Sequence, residues 1–247
     1  MKYNIIITAG GTSEKIDNVR KITNSSSGKL GCTIANKLIN LKEEQINNIY
    51  YICTKNSFKP THHKIKIIEI IDTNDLENNV KNLLTNSNIH YFIHSMAVSD
   101  YTVDYITTAE RLVTNIRNNP NKNIMDLIIS HNDNLNDNKI SSNEENIIIK
   151  LKKTPKIISM IKDISPKTFL VGFKLLDGVS KEKLINVAIN LKNKNKCDLV
   201  VANDLENIRN GNHKALIIKS SNNYIQANDK EDIAEKLIGE IFKNGEL

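Results

Sequence analysis

Four apolar runs end in residues able to bind or react: Ala9-Gly10-Gly11-Thr12, His94 to Asp100, Gly172-Phe173-Lys174 and Ala202-Asn203-Asp204. In open α/β sheets ligands gather at the carboxyl ends of strands, so these four ends are the first places to look. The first is the most suggestive. A β-branched run closes on a glycine pair, and Ser25-Ser26-Ser27-Gly28 then opens a helix, an arrangement that turns backbone N–H groups and hydroxyls toward an anion. A tight strand exit followed by a serine N-cap is the plainer alternative. The GxGxxG spacing of dinucleotide sites is not met. A Walker A loop is excluded, because Gly28-Lys29 is followed by Leu30 and Thr23 stands where the first glycine belongs.

Built-in nucleophiles and metal motifs are missing: there is no GxSxG and no HExxH. His62-His63 is an adjacent pair whose rings would diverge on a strand, which favours a solvated loop over a metal site. Lys150-Leu151-Lys152-Lys153 fits a solvated face and a phosphate clamp equally. An anion site with lysines and no nucleophile suits a reaction in which the substrates bring the nucleophile and the protein supplies charge and positioning.

These residues need a scaffold. Tyr3 to Thr8 reads as a strand buried on both faces, hence parallel. Leu30, Ile34, Ala35, Leu38 and Leu41 recur at helical spacing over Lys29 to Leu41. Strands are expected at Ile49 to Cys53 and Lys64 to Ile70. A helix capped by Asp72 should run to Leu84 and a buried strand should follow at Tyr91 to Ile93. Thr102 to Asn138 is rich in Asn, Asp and Thr, and reads as a long loop: a lid, an arm or a disordered segment. Regularity returns at Ile147 to Ile149, followed by a helix from Pro155 as first helical residue to Lys162. A strand over Thr168 to Phe173, a helix over Ser180 to Lys192, and strands over Asp198 to Ala202 and Lys214 to Lys219 follow. Asn228 and Glu231 form a capping-box start for a last helix through Phe242. The alternation predicts a single three-layer α/β domain over residues 1–247, Rossmann-like, with a mostly parallel sheet and helices on both faces.

Composition narrows the classes. The 247 residues suffice for a real core, and 25% charged residues is an ordinary fraction that does not indicate disorder. Thirty-four basic against 28 acidic residues give +6, which suits an anionic partner. Only 5% aromatic residues and no Trp argue against base-stacking nucleic-acid platforms. Cys32, Cys53 and Cys197 form no CxxC pair, which fits core thiols in a reducing cytoplasm. With no run of 18 apolar residues and no signal peptide, a soluble, cytoplasmic protein is expected.

Taken together, Ile7 to Glu14, Val19 to Asn24, Ser27 to Gly31, Val171 to Lys174 and Ala202 to Asp204 resemble the phosphopantothenate–cysteine ligase family of coenzyme A biosynthesis. His94 to Tyr101 and Lys153 to Ile158 resemble its stand-alone bacterial type. The resemblance runs from residue 3 to about 242 and is weakest over Thr102 to Asn138. It implies that the carboxylate of 4′-phosphopantothenate attacks the α-phosphate of CTP with Mg²⁺, releasing pyrophosphate. The amine of L-cysteine then attacks the acyl-cytidylate and CMP leaves. By the same resemblance Asn24 serves turnover of the acyl intermediate, and Arg20, with Asn24 and Ala97, binds phosphopantothenate. Lys139 serves nucleotide binding and catalysis. Gly10, Gly11, Ser27, Gly28, His94, Ser95, Met96 and Asp100 would contact the nucleotide. Pro155, Lys156, Ile157 and Ile158 would meet the base edge, Phe173 would pack on the base, and Lys194 would bind the nucleotide, with Lys192 as its substitute. A homodimer with sites completed across the interface is implied, and a separate phosphopantothenoylcysteine decarboxylase would take the product. Neither nucleic acid nor membrane is an expected partner. The alternative is a Rossmann-like NAD(P)-dependent reductase, supported by the strand–glycine–helix start. It is opposed by the glycine spacing and by the lack of a Tyr-x-x-x-Lys pair after the central strands.

Overall fold

The computed structural model describes residues 2–131, 135, 139–209 and 213–243. In chain order it runs β1 (Tyr3–Ala9), β2 (Ser13–Lys15), β3 (Lys21–Thr23), α1 (Lys29–Lys42), β4 (Ile46–Thr54), β5 (Ile65–Ile70), α2 (Thr73–Asn86), β6 (Tyr91–His94) and β7 (Tyr101–Thr108). Then come α3 (Ala109–Arg117), α4 (Ile124–Ile129), β8 (Ile147–Lys153), α5 (Ile157–Ile164), β9 (Phe169–Leu176), α6 (Lys181–Lys194), β10 (Leu199–Asp204), α7 (Leu205–Arg209), β11 (Ala215–Ser220), β12 (Asn223–Ala227) and α8 (Lys230–Lys243).

Eight strands form one sheet in the order β12-β11-β10-β9-β6-β1-β4-β5. The six from β10 to β5 are mutually parallel, and β11 and β12 extend the sheet antiparallel. Side chains alternate across a strand, so β1 feeds two cores at once. Ile5, Ile7 and Ala9 pack with α1 and α8, whereas Ile6 packs with α2, α5 and α6 on the other face. This is the expected three-layer α/β architecture. Cys53 and Cys197 are buried in these cores, and burial pushes both thiols up to about 11, as inert core residues require.

Thr102 to Asn138 is not a structureless loop. β7 pairs antiparallel with β8 outside the main sheet, and α3 and α4 follow it. Ile106, Leu135 and Ile140 make a small separate core, with Ile16, Val103 and Ile147 packed against it. No sequence pattern marks this strand, because its buried positions include Thr107 and Thr108, polar in type yet buried beside Tyr105 and Ile106. The hydroxyl of Thr108 then accepts from Arg111 N and caps α3. Residues 132–134 and 136–138 of that stretch lie outside the described residues.

Two helix starts also differ from expectation. α5 begins at Ile157, with Pro155 in the turn before it, because Thr154 is held back on Ser99 and Asp100. For α8, Asp229 accepts from Asp232 N at 2.9 Å and Asp232 accepts from Asn228 N at 2.9 Å. The capping pair therefore lies one residue later than Asn228 and Glu231.

Candidate active site

Two clefts at the carboxyl ends of the parallel strands hold candidate site residues. The larger, about 590 Å³, lies beyond β6 and β9. Into it the fold brings His94, Met96, Asp100, Pro155, Lys156, Ile157, Ile158, Phe173 and Lys194, residues drawn from four separate segments. Two hydrogen bonds explain how the second of these segments arrives. Thr154 N donates to Asp100 O at 3.1 Å, and the Thr154 hydroxyl donates to Ser99 O at 2.5 Å. The turn ahead of α5 is thereby fixed against the strand-end loop after β6.

Charge in this cleft is arranged for an anion. Lys156, Lys174 and Lys194 all line it, and Lys156 pairs with Asp100 at its mouth. Lys192 instead donates to Cys197 O at 2.9 Å and Lys196 stands by Asp163, so of these three lysines Lys194 is the one in the cleft. His94 is buried and its Nδ1 meets the Thr8 hydroxyl at 2.8 Å. Burial lowers its pKa to about 4, so at neutral pH it is an uncharged hydrogen-bonding group. Asp100 is the carboxylate lining this cleft among the described residues. One exposed carboxylate beside lysines fits a magnesium ion that arrives on phosphates better than an ion held in a protein cage.

The second cleft, about 440 Å³, holds Gly11 and Asn24. Lys21, Thr23, Ser25, Ser26, Thr54, Lys55 and Asn56 also line it. Lys55 and Asn56 were not singled out from the sequence, although they follow the carboxyl end of a parallel strand and the same positional rule applies to them. A backbone ladder runs between the two clefts. Ala97 N donates to Gly10 O at 2.8 Å, and Ala97 O accepts both Thr12 N at 3.1 Å and Asn24 Nδ2 at 3.3 Å. Ser95 packs behind this ladder, its hydroxyl donating to Thr8 O at 2.7 Å.

The glycines act by admitting other chain segments. A Cβ on Gly11 would lie 2.0 Å from Asn24 O, and one on Gly10, whose φ is +90°, would lie 2.0 Å from the Ser57 hydroxyl. Gly28 meets Gly10 and Ser57 in the same way and caps α1 with φ 71°, while Ser27 is exposed and its carbonyl accepts from Phe58 N. These contacts leave no room for a Cβ at Gly10 or Gly11, and the positive φ of Gly10 and Gly28 suits glycine alone.

The hairpin of β2 and β3 that carries Asn24 is held by buried polar groups. Glu14 accepts from Thr73 N at 3.0 Å and from the Thr73 hydroxyl at 2.7 Å, placing a carboxylate at the start of α2. Arg20 and Lys139 line neither cleft. Arg20 is paired with Asp17 at the hairpin turn, and Lys139 is exposed nearby. Asp204 is committed to structure, accepting from Gly178 N, Val179 N and Glu206 N.

His62 and His63 do not diverge. They precede β5 in a turn, their ring centroids are 4.2 Å apart, and with Glu43 they bring three potential ligand atoms within 4.8 Å of one another. The group lies at the amino ends of β4 and β5, away from both clefts. Lys64 Nζ already stands 3.9 Å from the same carboxylate.

The family described as "DNA/pantothenate metabolism flavoprotein C-terminal domain" matches residues 1–135 and 129–244. The chain belongs to this family. The "Coenzyme A biosynthesis bifunctional protein CoaBC" of Thermococcus kodakarensis is 30% identical over 240 residues, covering 97% of this chain and 51% of that protein. The chain thus spans about half the length of the curated relatives it matches. The crystal structure of the DNA/pantothenate metabolism flavoprotein from Streptococcus pneumoniae is 37% identical with a TM-score of 0.84, covering 99% of this chain and all of that one. A Cab2 variant in complex with phosphopantothenate-cysteine shares the fold at 18% identity and a TM-score of 0.68, covering 98% of this chain and 86% of that one. Among the described residues no helix is long and apolar enough to cross a membrane.

Proposed function

We propose that this chain is a phosphopantothenate–cysteine ligase that activates the acid with CTP. The observation that carries the reading is the pair of clefts flanking the Gly10–Thr12 and Ala97 ladder, one lined by Lys156, Lys174 and Lys194, the other by Asn24 with Lys21 and Lys55. Family membership supports it, as do the relative named for coenzyme A biosynthesis and the neighbour complexed with phosphopantothenate-cysteine.

The larger cleft takes the nucleotide. Phe173 and the Pro155–Ile158 turn receive the base, and Asp100 faces the ribose and phosphates. Lys156, Lys174 and Lys194 stabilise charge that builds on the phosphates as the substrate carboxylate attacks. Magnesium arriving with the nucleotide would offset further phosphate charge. The smaller cleft takes the acid, and Arg20, at the hairpin turn outside that cleft, supplies a guanidinium for its phosphate. After pyrophosphate leaves, the amine of cysteine attacks the acyl carbon. One Nδ2 hydrogen of Asn24 is used on Ala97 O, and the other, which meets no acceptor among the described residues, can donate to the oxyanion that forms. The protein needs no nucleophile of its own, in keeping with the motifs it lacks.

A homodimer is part of the proposal, supported by apolar side chains exposed on the arm formed by β7, β8, α3 and α4. A decarboxylase would consume the product. The deciding experiment measures pyrophosphate release and product formation with 4′-phosphopantothenate, CTP and L-cysteine. Pyrophosphate release that needs the acid, with CMP release and product that also need cysteine, is expected. Silence with all three substrates refutes the ligase reading, and clear preference for ATP refutes the choice of CTP.

A further inference from the structure

Asp17 carries a buried carboxylate that the reaction as described does not use. Its side chain is 1% exposed, against 43% for Arg20. Five N–H groups converge on it. Oδ1 accepts from Val19 N at 2.8 Å and Arg20 N at 2.7 Å, closing a local turn. Oδ2 accepts from Arg20 Nε at 2.9 Å, from Arg20 Nη2 at 2.6 Å, and from Ile140 N at 3.2 Å. Arg20 Nη2 also donates to Ile140 O at 2.8 Å. Both backbone polar groups of Ile140 are thus tied to a hairpin 120 residues earlier in the chain. The residue before Ile140 is Lys139.

We propose that Asp17 is a positioning residue which couples two substrate-binding cations: it sets the guanidinium of Arg20 and, through Ile140, the backbone that carries Lys139. The proposal rests on the ligase reading for the roles of those two cations. With Nε and Nη2 engaged, Nη1 meets no acceptor among the described residues and is left on the outward edge for a phosphate. A guanidinium fixed in this way loses little freedom when it binds, and the rotamer-rich chain of Lys139 gains a fixed root. These charge-assisted bonds hold the Asp17 carboxyl far below the usual carboxylate range, so the tether stays charged throughout the working pH range.

Asp17→Asn separates the local turn from the coupling. Its amide oxygen can still serve Val19 N and Arg20 N, but its NH₂ faces three donors where Oδ2 stood. The test uses the full chain with two readouts. First, amide hydrogen exchange at Ile140 should accelerate at least tenfold, with core amides of β1 and the melting temperature little changed. Second, in pyrophosphate release, Asp17→Asn should raise KM for phosphopantothenate at least tenfold in both the wild-type and the Lys139→Gln background. It should lower kcat only where Lys139 is present, because the rate effect acts through that residue. Unchanged Ile140 exchange overturns the proposal, as does a kcat loss of equal size with and without Lys139. If Asp17→Asn does not fold, Asp17→Glu keeps the charge but moves the oxygens by a methylene, and should give the same readouts. Should the wild-type chain release no pyrophosphate, the ligase reading fails by itself, while the exchange experiment still decides whether Asp17 tethers Ile140.

Discussion

At the scale of single residues, the site depends on polar side chains whose ionisation or hydrogen bonding is set by burial. Asn24 is the clearest case, since a neutral amide can donate to an oxyanion without titrating. Asn24→Ala should leave acyl-nucleotide formation intact and slow its conversion to product by roughly 10²- to 10³-fold, the usual cost of one oxyanion donor. Quenched-flow mass spectrometry would show the intermediate accumulating, and an unchanged product rate would remove Asn24 from the mechanism. His94 makes a different prediction. Its pKa falls from 6.5 to about 4 on folding, so the fold favours the neutral form. That contribution, on the order of 3 kcal/mol, is fully present above pH 6.5 and is lost as pH drops toward 4. Denaturant melts of His94→Gln between pH 7 and 4 should show a shallower decline than the wild type. The part that remains would belong to His213, whose pKa burial and Lys230 also lower to about 4, and to carboxyls held low by their partners, such as Asp17, Asp104 and Asp232. An identical slope in both proteins would mean that His94 is not buried neutral.

At the scale of elements, legibility followed the strength of the periodic signal. β1, α1 and β10 were readable because apolar residues recur at one spacing over most of their length. β7 was not, because Thr107 and Thr108 look like loop residues in a sequence and become buried only through pairing with β8. The hairpin of β2 and β3 has three residues in each strand and is held by Glu14 on Thr73, a contact made across 59 residues of chain. No local pattern announces such an element. The site divides the same way. Phe173, Lys194 and the Pro155–Ile158 turn, named through the family resemblance, line the larger cleft, whereas Lys55 and Asn56 reach the second cleft through a loop that carries no motif. Gly11 ties the readable and unreadable parts together, since a Cβ there would collide with the carbonyl of Asn24. Gly11→Ala should push the hairpin outward, cost about 1–3 kcal/mol of stability, and lower turnover at least tenfold. Nucleotide affinity should stay near normal, because the larger cleft does not include Gly11. Equal losses in nucleotide binding and turnover would show that the two clefts are not mechanically separate.

For the whole molecule, the question is what the arm is for. The eight-stranded sheet has complete cores on both faces and does not need it. The arm buries part of its apolar surface in the small core around Ile106 and leaves another part exposed. In α4, Leu127 points inward while Ile124, Met125 and Ile129 are 56%, 61% and 57% exposed, and Val113 on α3 adds to the patch. Apolar groups gathered on one projection of a folded domain mark an interaction surface. A second copy of the chain is the occupant that the proposed dimer supplies. Sedimentation equilibrium should therefore find the wild type dimeric. Met125→Glu with Ile129→Glu should be monomeric, because two carboxylates cannot be desolvated against an apolar partner face. Both substitutions are at exposed positions, so the melting temperature of the main domain should move little. Turnover should fall with dissociation, since Lys139 and the arm strand β8 next to Pro155 belong to the same projection and would lose the partner that completes their sites. A dimeric double variant would place the interface elsewhere. A fully active monomer would show that one chain carries every residue the reaction needs.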